Sequence, residues 1–228
     1  ALAKSKNLVS VRVIRKIGAC YAQDYIQRFG FEAEKHPPYL TMALGAGSVT
    51  PLQLATGYGV FANGGYRVDP YLISKVIDAK GNVLFEATPT MAGDSSLKVL
   101  DSRTAFVMDS LLQEVTKTGT AASARPALSR SDIAGKTGTT NESMDAWFAG
   151  YHPSVVAVAW IGFDKPKSLG DRETGGGLAL PMWIRYMKTA LNGVPEADRR
   201  APSGVSQQDG DWVIPEFMPT FGRNQTLD

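Results

Sequence analysis

Cysteine is all but missing from this chain: Cys20 stands alone in 228 residues, so no internal disulfide can form. A lone cysteine of this kind reads as a small buried hydrophobe and leaves the compartment undecided. Long apolar runs are missing too. The densest, Val155 to Phe163, is about half of the ~20 residues a membrane helix needs and reads as a buried strand. Neither sign of charge dominates. A net charge of +2 leaves no polybasic surface, which excludes nucleic acid as an expected partner. Only two histidines occur, His36 and His152. Each adjoins a proline in an expected loop with no third ligand at metal spacing, so no metal site is expected. Gly175-Gly176-Gly177 lacks the lysine of a phosphate-binding loop, and no cofactor is expected. The chain starts at Ala1 without methionine, basic start or signal-type apolar segment, as expected of a piece of a longer protein.

What is present suits one sizeable domain. Leu8, Val11, Ile14, Ile17 and then Tyr21, Tyr25, Ile26, Phe29 fit two short helices ending near Gly18 and Gly30. Val9, Val11 and Val13 also alternate with polar residues, which keeps a strand open for the first segment. Thr50-Pro51-Leu52-Gln53 has the form of a capping box, and Asn63-Gly64-Gly65 should stop the helix it starts. Leu72–Ile77 and Asn82–Phe85 read as a hairpin, followed by a surface connection from Ala87 to Lys98. Asp101 or Ser102 should cap a helix with Ala105, Met108, Leu111, Leu112 and Val115 on its buried face. Ile133–Thr140, Asp145–Tyr151 and Val155–Phe163 predict three adjacent antiparallel strands, with Leu178–Leu191 as a closing helix. The last strand is apolar on both faces, so the expected fold is α+β, an antiparallel sheet covered by helices on both faces. Trp147, Phe148, Trp160 and Trp183 are expected in its core.

One string occurs twice. Lys117-Thr118-Gly119-Thr120 and Lys136-Thr137-Gly138-Thr139 share four letters. The first copy falls where a helix should end, a lysine in the last turn and a glycine terminator, which is a sufficient local explanation. The second lies on an expected strand. There a lysine gives fixed positive charge, the hydroxyls of Thr137 and Thr139 can bind a carboxylate, and Gly138 lets a ligand lie against the backbone. A free N–H on such an edge can serve an oxyanion, and an extended peptide could add itself as a further strand. Alone, such a string is more often polar decoration of a solvated edge.

A second element stands near the start: Ser5-Lys6-Asn7, the only Ser-x-Asn in the chain. Its local alternative is a helix-capping serine with a solvated lysine and asparagine. Ser-x-Asn followed by Lys-Thr-Gly resembles the second and third motifs of penicillin-recognising serine enzymes. The stretches SKNLVSVRV, TMALGAGSVTPLQLATGYGVFANGGY, AGKTGTTNESMDAWFAGY, VAWIGFD and ETGGGLALPMW resemble the transpeptidase domain of bifunctional, class A penicillin-binding proteins of the 1A type. The resemblance runs from about Ser5 to Leu191, and beta-lactamases do not share the TPLQLATGYGVFANGG or GGLALPMW stretches.

The resemblance implies an incomplete penicillin-binding transpeptidase (beta-lactamase-like) fold over residues 1–194, lacking the nucleophile segment, and a proline-rich tail over 195–228. The family's first motif, Ser-x-x-Lys, precedes Ser-x-Asn. Here the only match is Ser95-Ser96-Leu97-Lys98, downstream and in a polar connection. The implied activity is D,D-transpeptidation of peptidoglycan stem peptides through a serine acyl-enzyme, with water as acceptor giving a carboxypeptidase and beta-lactams as acylating inhibitors. Ser5 would relay a proton to the leaving amine and Asn7 would hold the substrate's amide carbonyl. Lys136 would favour carboxylate binding and proton transfer through Ser5, Thr137 and Thr139 would hold that carboxylate, and the N–H of Thr139 would be one oxyanion donor. The full protein would face the periplasm from the inner membrane, anchored through a segment outside this chain. A non-catalytic beta-lactam or cell-wall sensing module with the same cleft is the alternative.

Overall fold

A computed structural model gives the fold and describes residues 1–218. In chain order its elements are helices α1 (Asn7–Ile17), α2 (Ala19–Ile26) and α3 (Pro51–Ala62), strands β1 (Lys75–Ile77) and β2 (Val83–Glu86), and helices α4 (Ser102–Lys117) and α5 (Ala124–Leu128). Strands β3 (Ala134–Thr139), β4 (Asp145–His152) and β5 (Val155–Gly162) follow, then helix α6 (Leu180–Ala190) and strands β6 (Ser206–Gln208) and β7 (Asp211–Val213). The valines of the first segment are helical, and α1 stops at Gly18, whose φ of 92° an L-residue would reach only with strain.

The central sheet has the order β3-β4-β5, antiparallel throughout, so β3 is an edge strand. Alternation along β4 sorts its side chains between two layers. Ala146 and Phe148 join Trp183 and Met187 of α6 in the larger core, with the Phe148 and Trp183 rings 4.8 Å apart. Tyr151 faces the other way, against Leu112 of α4 and Tyr58 and Phe61 of α3. Helices therefore cover both faces, as the apolar β5 requires.

Local signals explain the helix starts. Gln53 N–H donates to Thr50 Oγ1 at 3.1 Å and Thr50 N–H to Gln53 Oε1 at 2.9 Å, completing the capping box ahead of Pro51. Thr50→Ala should therefore cost about 1 kcal/mol of stability, read by denaturant melts, with Thr50→Ser recovering most of it. Asp101 caps α4 through Arg103 N–H at 3.0 Å.

Four expectations change. Leu111 is exposed, and its expected place on the buried side of α4 is taken by Asp109, whose carboxylate accepts the Tyr151 hydroxyl at 2.7 Å. Cys20 is exposed rather than buried. Phe148 and Trp183 are core residues, whereas Trp160 is exposed and packs on half-buried Trp147 with ring centroids 5.8 Å apart. His152 is the last residue of β4, fully inside an ion network.

The segment after Pro195 crosses the surface pinned at several points. Arg199 pairs with Asp109, Glu216 pairs with Arg103, and Trp212 meets the Phe106 ring edge-on at 5.1 Å. Residues 219–228, the end of the expected tail, lie outside the described residues.

Candidate active site

The two sequence motifs meet. Lys136 Nζ donates to Ser5 Oγ at 2.9 Å across a separation of 131 residues, and to the Thr137 carbonyl oxygen at 2.8 Å. Ser5 is not a helix cap. Lys6 holds the N-cap position of α1 with no side-chain cap bond, and Ser5 instead adopts a left-handed backbone with φ of 52°. A non-glycine residue in that region stores about 1–3 kcal/mol of strain, which fits a turn shaped to present its hydroxyl. Because the ammonium fills an acceptor site on Ser5 Oγ, the serine's own proton is free to point into the cleft. Lys136 is half-buried, and burial lowers its pKa from the ordinary 10.5.

A cleft of about 720 Å³ opens at this contact, lined by Ser5, Asn7 and Ser10 on one side and Lys136, Thr137, Gly138, Thr139 and Thr140 on the other. All six motif residues singled out in the sequence border it. Its third wall is Thr41 with Ala43–Ala46, a stretch to which the sequence had assigned no site role. A second hollow of about 670 Å³ shares the β3 edge and Leu44-Gly45, and adds Tyr58, Trp147 and Trp160. Ser95 lines neither hollow and belongs to a short 3-10 turn capped by Asp94.

Strand alternation divides the second motif. Lys136 opposes Ala149 and Gly138 opposes Trp147, while Thr137 opposes Phe148 and Thr139 opposes Ala146. The threonine hydroxyls consequently meet partners that the lysine does not: Thr139 Oγ1 accepts from Gly175 N–H at 3.0 Å, and Thr137 Oγ1 stands 2.6 Å from Thr120 Oγ1. The Thr139 hydroxyl keeps its own proton for a ligand. Gly175 is required by close approach, since a Cβ there would collide with the carbonyl oxygens of Trp147 and Gly138. The glycine run thus packs beneath β3 and leads through a π-helical turn into α6.

A family model described as "Penicillin binding protein transpeptidase domain" matches residues 1–181. The chain belongs to this penicillin-binding transpeptidase family. It is 49% identical over 220 residues to penicillin-binding protein 1A of Neisseria lactamica, covering 96% of this chain and 27% of that protein. It is 39% identical over 250 residues to penicillin-binding protein 1A of Pseudomonas aeruginosa, covering 90% of this chain and 30% of that protein. The crystal structure of penicillin-binding protein 1A from Haemophilus influenzae superposes with a TM-score of 0.86 at 33% identity, covering 96% of this chain and 40% of that one. The chain therefore spans less than a third of the curated relatives it matches.

Ser5 thus lies on the turn before α1 and Asn7 opens that helix, Lys136-Thr137-Gly138 lies on the edge strand β3, and the cleft opens between them. Among the described residues no group of three or more His, Cys, Asp or Glu side chains could hold a metal, and no helix is long and apolar enough to cross a membrane.

Proposed function

We propose that these residues form the second part of a peptidoglycan D,D-transpeptidase domain, carrying the proton-relay and carboxylate-binding half of a serine acyl-transfer site. The observation that carries it is the Lys136 Nζ to Ser5 Oγ hydrogen bond at 2.9 Å inside a cleft large enough for an extended peptide end. The acylated serine lies outside these 228 residues. Its Oγ attacks the carbonyl carbon of the penultimate D-alanine, the C–N bond to the terminal D-alanine breaks, and Ser5 passes the serine's proton to the departing amine. The terminal carboxylate is held by Lys136 and by the hydroxyls of Thr137 and Thr139, and the N–H of Thr139 supplies one oxyanion donor. Asn7 orients the substrate amide from the opposite wall. An amine from a second stem peptide then takes the acyl group and closes a cross-link, while water taking it gives carboxypeptidase activity. A beta-lactam enters by the same route, its carboxylate standing for that of D-alanine. The site would face the periplasm, with the membrane anchor and the nucleophile in the remainder of the same protein.

Fluorescent penicillin tests this directly. The full-length protein should be labelled, and the 228-residue chain alone should not. Labelling of the isolated chain at Ser5 would instead make Ser5 and Lys136 a nucleophile and its base, and labelling at Ser95 would overturn the motif order.

Lys136 also sets a pH dependence. The protonated lysine attracts the carboxylate, so acylation should fall as pH rises through a pKa that burial has brought below 10.5. Lys136→Arg, whose guanidinium keeps its proton, should lose that alkaline limb in stopped-flow acylation across neutral to alkaline pH.

A further inference from the structure

The first copy of the repeated string is not spent on ending a helix. Lys117 does close α4 and pairs with Glu114 at 3.6 Å, but the three residues after it reach the two motifs of the cleft. Thr120 N–H donates to the Ala3 carbonyl oxygen at 3.0 Å, and Lys4 Nζ donates to the Thr118 carbonyl oxygen, so the connection after α4 holds the turn that presents Ser5. Gly119 lies so close to this turn that a Cβ would collide with the Ala3 carbonyl oxygen and with the backbone of Val115. On its other side, Thr120 Oγ1 stands 2.6 Å from Thr137 Oγ1, which also lies 3.5 Å from Lys136 Nζ. One exposed threonine therefore touches both halves of the site without lining the cleft itself.

We propose that Thr120 is a positioning residue of the acyl-transfer site, donating its hydroxyl proton to Thr137 Oγ1 so that the proton of Thr137 is turned toward the ligand's carboxylate. A hydroxyl has a single proton, and in a contact of 2.6 Å one of the two must donate. If Thr137 donated to Thr120, its oxygen would present only lone pairs to an anion. With Thr120 as donor, Thr137 has its acceptor site filled and its proton available, and the two bonds polarise one another when the carboxylate arrives. The backbone bond from Thr120 to Ala3 fixes the Ser5 turn to the same residue, so the hydroxyl pair and the Ser5–Lys136 pair keep a common frame.

This role presupposes the transpeptidase function proposed above, and the experiment separates the two. In the full-length protein, Thr120→Val should slow acylation by a penicillin roughly fivefold to tenfold, the size of one neutral hydrogen bond. Thr120→Ala should give the same loss, and Thr120→Ser should restore the wild-type rate. The loss should shrink with the methyl ester of the same penicillin, which has no carboxylate, whereas a loosened fold would slow both compounds alike. Wild-type acylation in both hydroxyl-free variants, a serine variant as slow as valine, or equal losses for acid and ester would each overturn the proposal. Lys136→Ala run in parallel tests the underlying site: if it acylates normally the carboxylate-binding and relay role proposed for Lys136 falls, and the role of Thr120 with it, and if it is inactive while Thr120→Val is normal only the role of Thr120 falls.

Discussion

Replacing Lys136 by alanine in the full-length protein is expected to lower its acylation by penicillin roughly 10²- to 10⁴-fold, the range spanned by losing a positioned acid–base group or a preorganised electrostatic contact. Three consequences follow from one ammonium. Its bond to Ser5 Oγ at 2.9 Å fixes the hydroxyl that relays the proton, and its bond to the Thr137 carbonyl at 2.8 Å holds it along the strand. Its charge, half-buried beside the cleft, acts through a medium less screening than water on an arriving carboxylate. Folding should survive the change, because the side chain leaves an edge strand whose register is set by β4 and whose core neighbours lie elsewhere. The measurement is a second-order acylation rate beside a thermal melt. A rate within a few fold of wild type would remove Lys136 from the chemistry, and a melting temperature that collapses with the rate would make its role structural. Arginine should fall between: it keeps the charge, but its planar guanidinium cannot reproduce the point contact on Ser5 or release a proton.

Much of this geometry was legible because its causes are local or periodic. The capping box at Thr50, the Asp101 cap and the three adjacent antiparallel strands separated by short turns each depend on neighbours within a few residues, and each is realised. The meeting of Ser5 and Lys136 was legible only through resemblance, since nothing in a separation of 131 residues dictates contact. Thr120 was illegible for the opposite reason. A helix-terminating glycine explained its string completely, and its bond to Thr137, 17 residues on, appears only once α4, α5 and β3 are folded against one another. Asp109 takes the buried place expected of Leu111 because apolar periodicity cannot foresee that the Tyr151 hydroxyl offers a buried partner to a carboxylate. The wall formed by Thr41 and Ala43–Ala46 carries few chemically distinctive side chains, so only its location marks it.

The largest expected loss of stability lies away from the cleft, at Asp132. Its side chain is 2% exposed and receives a bidentate pair from Arg130, Nε to Oδ1 at 2.9 Å and Nη2 to Oδ2 at 2.7 Å. His152 Nε2 stands 3.0 Å from Oδ2, and Ala197 N–H donates to that oxygen at 2.7 Å. Arg130 also donates to the carbonyl oxygens of Val194 at 2.6 Å and Pro195 at 2.9 Å, so this carboxylate is the hub that ties the segment after α6 to the end of β4. Asp132→Ala strands a largely buried guanidinium and should cost about 3–5 kcal/mol, and Arg130→Met, which strands the still more buried carboxylate, should cost a similar amount. Two titrations then predict the same slope with pH. Burial pushes the Asp132 carboxyl up, but hydrogen bonds from Arg130 and Ala197 and the neighbouring cationic charge outweigh it and leave its pKa below 3.8. Burial likewise lowers His152 below 6.5 against the pull of Asp132. In each case the unfolded chain binds a proton that the folded chain resists, so stability is present above the ordinary value and lost as pH falls. Denaturant melts should therefore show the chain weakening on acidification from pH 6.5 as His152 is forced to charge, and further below 3.8 as Asp132 protonates. His152→Ala should abolish the upper part of that slope and leave the lower, and an unchanged slope in the variant would place its origin outside this network.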